Sequence, residues 1–203
     1  MSGRILVLSG PSGCGKSSLL NEILKNNNDI YFSISTTTRE IREGEEDGVN
    51  YYYISKEEFE KDIENGIFLE WANVHGNYYG TSLKPVNEAL ESGKLVIFDI
   101  DVQGHENVKK RYGDILTSLF ITTPDAKELK NRLIKRGTDS IEVINQRLKN
   151  SYDEMQKIDE YDLLLVNDDF EKTLDSFTQI VNVELMKIDK KNKDHFINKW
   201  YNL

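Results

Sequence analysis

The chain has 203 residues with 26 basic and 35 acidic side chains, a formal net charge of −9. Such an excess of carboxylates argues against a nucleic-acid polymer as partner, because polyphosphate strands want a basic face. One cysteine leaves no internal disulfide framework. With no signal-peptide pattern and no apolar run near the ~20 residues that cross a bilayer, the expectation is a cytoplasmic protein with no membrane partner and one substantial core.

Ile5-Leu6-Val7-Leu8 reads as a buried strand, and Leu19, Leu20, Ile23 and Leu24 follow at helical spacing. Between them, Gly10-Pro11-Ser12-Gly13-Cys14-Gly15-Lys16-Ser17 satisfies G-x-x-x-x-G-K-[ST] at every fixed position, with the required strand before it and helix after it. Glycines let the backbone curl around phosphates, and the N-terminus of the helix adds free N–H groups and positive potential. Lys16 can reach the β- and γ-phosphates, and the Ser17 hydroxyl can ligate Mg²⁺. The chain is therefore expected to bind a nucleoside triphosphate.

Residues 31–35 read as a short strand running into Thr36-Thr37-Thr38-Arg39-Glu40-Ile41-Arg42-Glu43-Gly44, and residues 51–54 resume strand character. Ser55 with Glu58 forms a capping box for a short helix that turns Phe59 and Ile63 inward and stops at Gly66. Residues 67–74 form a strand carrying Glu70, and the loop Gly76-Asn77-Tyr78-Tyr79-Gly80-Thr81-Ser82 follows. This tract of strands and turns lies between α/β units and reads as an inserted subdomain. A helix over 83–90, a buried strand over 95–101 ending in Asp99 and Asp101, another helix and a strand over 119–122 come next. Pro124 and Asp125 open a helix that meets Gly137, and Ser140 caps a second one running past Arg147 to about 155. A strand over 163–166 and a helix from about 170 complete the alternation. Apolar strands alternating with helices define an α/β fold with a parallel sheet covered on both faces. Asp99 and Asp101 are expected on one face of their strand, at the edge where open α/β sheets bind ligands.

Only seven of the basic residues are arginine. Arginine should stand where a planar, bidentate donor is needed, and five of the seven fall into two clusters, Arg39/Arg42 and Arg132/Arg136/Arg147. Arg132 and Arg136 are four apart and share a helix face. Glu70 offers two acceptors side by side, which match the adjacent N1–H and N2–H donors of guanine and mismatch adenine.

The chain resembles the guanylate kinase family. The blocks that carry the likeness are Gly10 to Ser17; Ser35-Thr36-Thr37-Thr38-Arg39 with Arg42 and Gly44-Glu45; Glu70-Trp71-Ala72 with Gly76 to Thr81; Asp99-Ile100-Asp101 with Gln103-Gly104; Arg132-Leu133 with Arg136-Gly137 and Asp139-Ser140; and Tyr161-Asp162 with Val166 to Asp169. They run in family order as far as about Val183. The resemblance implies a P-loop-type parallel sheet (core 1–33, 83–124 and 148–187), a small mixed-strand GMP-binding subdomain over 34–82, a helical lid over 125–147 and a tail over 188–203. It implies transfer of the γ-phosphoryl group of ATP to GMP with Mg²⁺, giving ADP and GDP, in guanine nucleotide synthesis and recycling.

Lys16, Arg39, Arg132, Arg136 and Arg147 are then the catalytic cations. Gly10 to Ser17 and Asn167 would bind ATP, with Asn167 beside the adenine. Ser35, Arg39, Arg42, Tyr51 and Tyr79 would hold the GMP phosphate, Glu70 and Thr81 the guanine, and Asp101 would help to hold the acceptor side. Ser17, with Asp99 through water, would hold the metal. dGMP is an expected second acceptor, and the chain a monomer or homodimer. Cys14, at a helix N-terminus, is expected to have a lowered thiol pKa that makes it modifiable. His75 is expected to be structural, and His105 and His195 have no motif around them. The tail, ending in Phe196, Ile197, Trp200 and Tyr201, is expected as a helix docked on the core, with a subunit contact as the second reading. Two other functions stay open on sequence: a different acceptor monophosphate, and a non-catalytic protein-binding module on the same fold.

Overall fold

The apolar run at residues 5–8 becomes the central strand of the computed structural model, which describes residues 3–25, 27–74, 76–137, 139–187 and 190–201. That strand, β1 (Arg4–Ser9), leads through the glycine-rich loop into α1 (Lys16–Leu24), and β2 (Ile30–Phe32) follows. β1 is fully buried from Ile5 onward because helices cover both faces.

After β2 the chain leaves the sheet for β3 (Thr36–Thr37), β4 (Tyr52–Tyr53), α2 (Lys56–Glu64), β5 (Phe68–Val74) and β6 (Asn77–Ser82). It returns through α3 (Leu83–Glu91) to β7 (Leu95–Asp99), then α4 (Val102–Tyr112) and β8 (Leu116–Thr122). α5 (Ala126–Arg136) and α6 (Ile141–Met155) precede β9 (Leu163–Val166), α7 (Phe170–Met186) and α8 (Lys190–Tyr201).

The main sheet has the order β2-β7-β1-β8-β9 with every pairing parallel. The chain first builds to one side of β1 and then crosses to the other. That reversal beside β1 creates the crevice at the carboxyl ends of the strands where ligands bind. Alternation along β1 sends Leu6 and Leu8 into one core with Leu19, Phe177 and Val181, and Ile5 and Val7 into another with Val86, Leu90 and Val108. Phe177 is fully buried, so truncating it to alanine would cost about 3–5 kcal/mol.

Polar punctuation sets the helix starts. Ser55, Ser82, Asp101, Asp125, Ser140 and Asp169 each accept a backbone N–H as N-cap, worth about 1 kcal/mol apiece. Asp101 corrects the strand expected over 95–101. The strand ends at Asp99, and the Asp101 carboxylate accepts the Gly104 N–H at 2.8 Å to start α4, so the two carboxylates do not share a strand face.

The second sheet has the order β4-β3-β6-β5, with β3–β4 parallel and the other pairs antiparallel. α2 covers it through Phe59, whose ring stacks on Phe68 at 4.1 Å and on Tyr78 at 5.1 Å. β5 carries a bulge. Phe68 pairs with Ser82 and Trp71 with Gly80, so three steps on β5 oppose two on β6, and the irregularity falls on Leu69 and Glu70. α5 and α6 form an arm with its own small core of Leu129, Leu133 and Ile144.

α8 is helical as expected, but it is not docked as expected. Phe196, Trp200 and Tyr201 are mostly exposed, so the helix does not bury its aromatic side chains on the core. Among the described residues no helix is long and apolar enough to cross a membrane.

Candidate active site

The loop after β1 gives α1 an unusual start. Gly15, the N-cap, has φ of +106° and no side-chain cap, so the first N–H groups of the helix are left for a ligand. Lys16 begins the helix and donates to the Gly10 carbonyl at 2.6 Å; its Nζ lies 3.8 Å from Asp99 Oδ1. Asp99 comes from β7, where it pairs in register with Leu8 of β1. Burial pushes the Asp99 carboxyl up, and the Lys16 ammonium opposes the shift. In front of these groups is a cavity of about 680 Å³, lined by the loop, by Asp99 and Asp101, by Arg132 and Arg136 of the arm, and by Glu154 of α6. Burial also pushes the Glu154 carboxyl up. Glu154 carried no signal in the sequence.

The underside of the loop is held from β9. Asn167, 2% exposed, donates its side-chain amide to the Cys14 carbonyl at 2.7 Å. A Cβ on Gly15 would fall 2.2 Å from Asn167 Nδ2, so the loop approaches this amide as only glycine allows. Asn167 thus turns its amide N–H to the loop backbone. Arg132 donates to the Asn167 carbonyl at 2.9 Å and reaches the Cys14 carbonyl at 3.5 Å, while its Nε pairs with Glu128 at 2.7 Å. Arg147 hydrogen-bonds Ser12 Oγ and lies 3.4 Å from Asp139. The arm therefore brings Arg132, Arg136 and Arg147 to the loop.

Cys14 departs from expectation. Its thiol is fully buried, and burial pushes its pKa up against the lowering influence of Lys16. A helix N-terminus can activate a thiol only where the thiolate is also solvated.

On the second sheet, Arg39 is held by both oxygens of Glu45, at 2.8 and 3.0 Å, with the rings of Tyr51 and Tyr53 within 6 Å of its guanidinium. Tyr51 and Tyr79 meet edge to face at 6.0 Å. The Arg39 hydrogen bond, and then the Arg42 N–H, hold the Glu45 carboxyl down to about 2. Arg42 is exposed, and Ser35 is half-buried, giving its carbonyl to the Tyr52 N–H at 3.0 Å. Glu45 was legible only as part of the family block; its grip on Arg39 was not.

Glu70 lies at the β5 bulge, half-buried, with its carboxyl pushed up by burial and then by the Asp101 charge. The neighbouring side chains of Asn107 and Thr81 oppose that shift. A Cβ on Gly104 would meet Glu70 Oε2 at 3.3 Å, so α4 packs directly against this carboxylate. Asn107 was not visible in the sequence. Of the histidines, His75 lies outside the described residues. His105 is 1% exposed and stacks on Tyr161 at 4.3 Å, a packing role, and His195 lies edge-on to Phe196.

A glycine-rich phosphate loop at the carboxyl edge of this sheet, approached by arginines from a helical arm and flanked by a small mixed sheet, is the architecture of a P-loop phosphotransferase. Comparison narrows the class. The family model for guanylate kinase matches residues 2–184. The chain is 53% identical over 199 residues to the guanylate kinase of Sulfurimonas denitrificans, covering 98% of this chain and 97% of that protein. It is 49% identical to that of Helicobacter hepaticus, with 98% of each covered. The crystal structure of guanylate kinase from Anaplasma phagocytophilum superposes with a TM-score of 0.67 at 33% identity, covering 92% of this chain and 88% of that one. The chain belongs to the guanylate kinase family.

Proposed function

We propose that this chain transfers the γ-phosphoryl group of ATP to GMP, giving ADP and GDP. The observation that carries the reading is the cavity itself, where Lys16 and the arm arginines face a carboxylate-lined wall one strand away from the loop.

The acceptor phosphate needs no general base, because a phosphomonoester has its second pKa at ~6 and is mostly dianionic at pH 7. The task is to bring two anions into line and to neutralise the charge that spreads over the transferred group. Lys16, Arg132, Arg136 and Arg147 carry that charge on the donor side. Arg39 and Arg42, with Ser35, Tyr51 and Tyr79, take the acceptor phosphate; Glu45 already fixes the Arg39 plane. Glu70 and Thr81 read guanine, since adenine would leave a half-buried carboxylate facing an acceptor. A site built that way can reject the wrong base by ~10⁴-fold.

Among the described residues no three acidic, histidine or cysteine side chains converge as a metal cage. One hydroxyl, Ser17, and one nearby carboxylate, Asp99, suit a magnesium ion that arrives on the triphosphate and keeps most of its waters. Held by Ser17, with Asp99 through water, magnesium would supply positive charge that offsets the negative charge of the triphosphate. In this reading residues 34–82 form the acceptor subdomain and residues 125–147 the lid. The setting is cytoplasmic, dGMP is a second acceptor, and the working unit is a monomer or homodimer.

ADP release coupled to an NADH readout, with ATP, magnesium and a panel of GMP, dGMP, AMP and UMP, tests the proposal. GMP should turn over fastest and AMP should be near background, with all turnover lost to excess chelator. A preference for AMP would overturn the role of Glu70, and no turnover with any acceptor would favour a binding module.

A further inference from the structure

We propose that α8 of one copy of this chain docks on the uncovered face of β9 in a second copy, the exchange being reciprocal in a two-fold dimer.

The main sheet is parallel throughout, and such sheets are buried on both faces. At β9 one face is left open. Leu165 enters the core beneath α7 with Phe177. Alternation turns Leu164 and Val166 the other way, and they are 52% and 44% exposed. On β8 the residue in register with Leu164 is Phe120, which is fully buried. The Tyr161 ring meets Phe120 at 5.1 Å, and His105 of α4 stacks on Tyr161 at 4.3 Å. The cover on the α4 side thus stops one strand short. β9 is also the edge of the sheet, the place that proteins protect with a helix or loop.

α8 has the opposite deficiency. Phe196, Ile197, Trp200 and Tyr201 stand at i, i+1, i+4 and i+5, so they form one stripe, and all four are exposed on their own chain. Charge favours a match between the two surfaces. Residues 157–172, which bracket β9, hold six acidic side chains against two lysines, whereas α8 holds four lysines against Asp194. Lys193 stands three residues before Phe196 on the same stripe, Lys199 stands beside Trp200, and both are exposed. A helix left undocked on its own chain finds in a second copy the apolar face and the sign of charge that it lacks. Two-fold symmetry satisfies both helices at once. Three aromatic side chains per copy, each offering about 150–250 Å² when fully buried, bring the doubled contact to the order of 1,000–2,000 Å², the range of a specific dimer.

The test is sedentation mass of the full chain over a dilution series by analytical ultracentrifugation. Wild type should be a dimer that dissociates on dilution. Trp200→Glu should raise the dimer Kd at least about 30-fold, as for loss of a central aromatic anchor, with GMP turnover within about twofold of wild type. Disulfide trapping gives a second readout, since the native Cys14 is buried. A Leu164→Cys chain mixed with a Trp200→Cys chain under mild oxidant should yield a covalent dimer. A single-chain mass at every concentration overturns the proposal. If the double cysteine variant then closes within one chain, the occupant is the chain's own β9; if the monomer floats with phosphatidylserine vesicles, it is an anionic membrane. A dimer that Trp200→Glu leaves intact and the two cysteines fail to link overturns it as well.

Discussion

Replacing Asn167 with alanine tests how the phosphate loop is held. The side chain is 2% exposed and gives one 2.7 Å hydrogen bond to the Cys14 carbonyl. Its loss leaves that carbonyl with Arg132 at 3.5 Å, too long to compensate. A buried acceptor left without its donor costs about 1–3 kcal/mol. For a chain of this size each kcal/mol lowers Tm by about 2–4 °C, so a fall of about 4–8 °C is expected for a 2 kcal/mol loss. The loop segment that loses its support carries Lys16, so ATP affinity should drop about tenfold or more. GMP affinity should stay near wild type, because its proposed contacts stand on the second sheet. Scanning calorimetry and titration of each nucleotide separately give the three numbers. Wild-type Tm together with wild-type ATP affinity would refute the argument, and so would an equal loss for both nucleotides.

The Cys14 thiol should react slowly with iodoacetamide in the folded protein at pH 8, since burial raises its pKa and removes thiolate; unfolding in denaturant should speed labelling sharply, and fast native labelling that ATP blocks would reverse this conclusion. The Arg39–Glu45 pair gives a pH signature: Glu45 is lowered from 4.5 to about 2, so the stability it adds is complete above pH 4.5 and disappears as the pH falls through 2. Glu45→Gln should flatten that part of the stability–pH curve, and an unaltered acid limb would count against the pair. Arg147→Ala should lower kcat by about 10²–10³ with the KM for GMP little changed, as for removal of one donor to developing charge; steady-state kinetics decide it, and a loss confined to KM would exclude the proposed role.

Local chemistry was the legible part. The phosphate loop, the buried strands and the caps at Ser55, Asp125 and Ser140 depend on neighbours a few residues away, and the structure has them. The strand expected to reach Asp101 failed because a carboxylate that caps a helix looks, in sequence, like one that ends a strand. Long-range pairings were opaque. Nothing in the chain links Gly104 to Glu70 or Asn167 to Cys14, because those contacts depend on how α4 and β9 pack. The Cys14 thiol was misread for the same reason: its position at a helix start is local, and its burial is tertiary. The helix over the tail was legible by pattern, but a pattern of apolar residues does not say what surface they meet.

Beyond its Nε bond to Glu128, Arg132 turns its two NH2 groups to main-chain carbonyls, at Asn167 and Asp168 and, at a longer 3.5 Å, at Cys14. Every chain position has a carbonyl, so this contact is insensitive to which side chains occupy those three sites, and substitutions there would not by themselves release the arm. It also orders a long, rotamer-rich side chain through contacts of the fold itself, an ordering that otherwise costs about 0.5–1.5 kcal/mol at the moment of binding. A triphosphate reaching the NH2 groups of Arg132 exchanges neutral carbonyl partners for charged ones, while the Glu128 carboxylate can keep its hold on Nε. The gain is then one of charge, and the conformational entropy of the guanidinium was already given up when the chain folded.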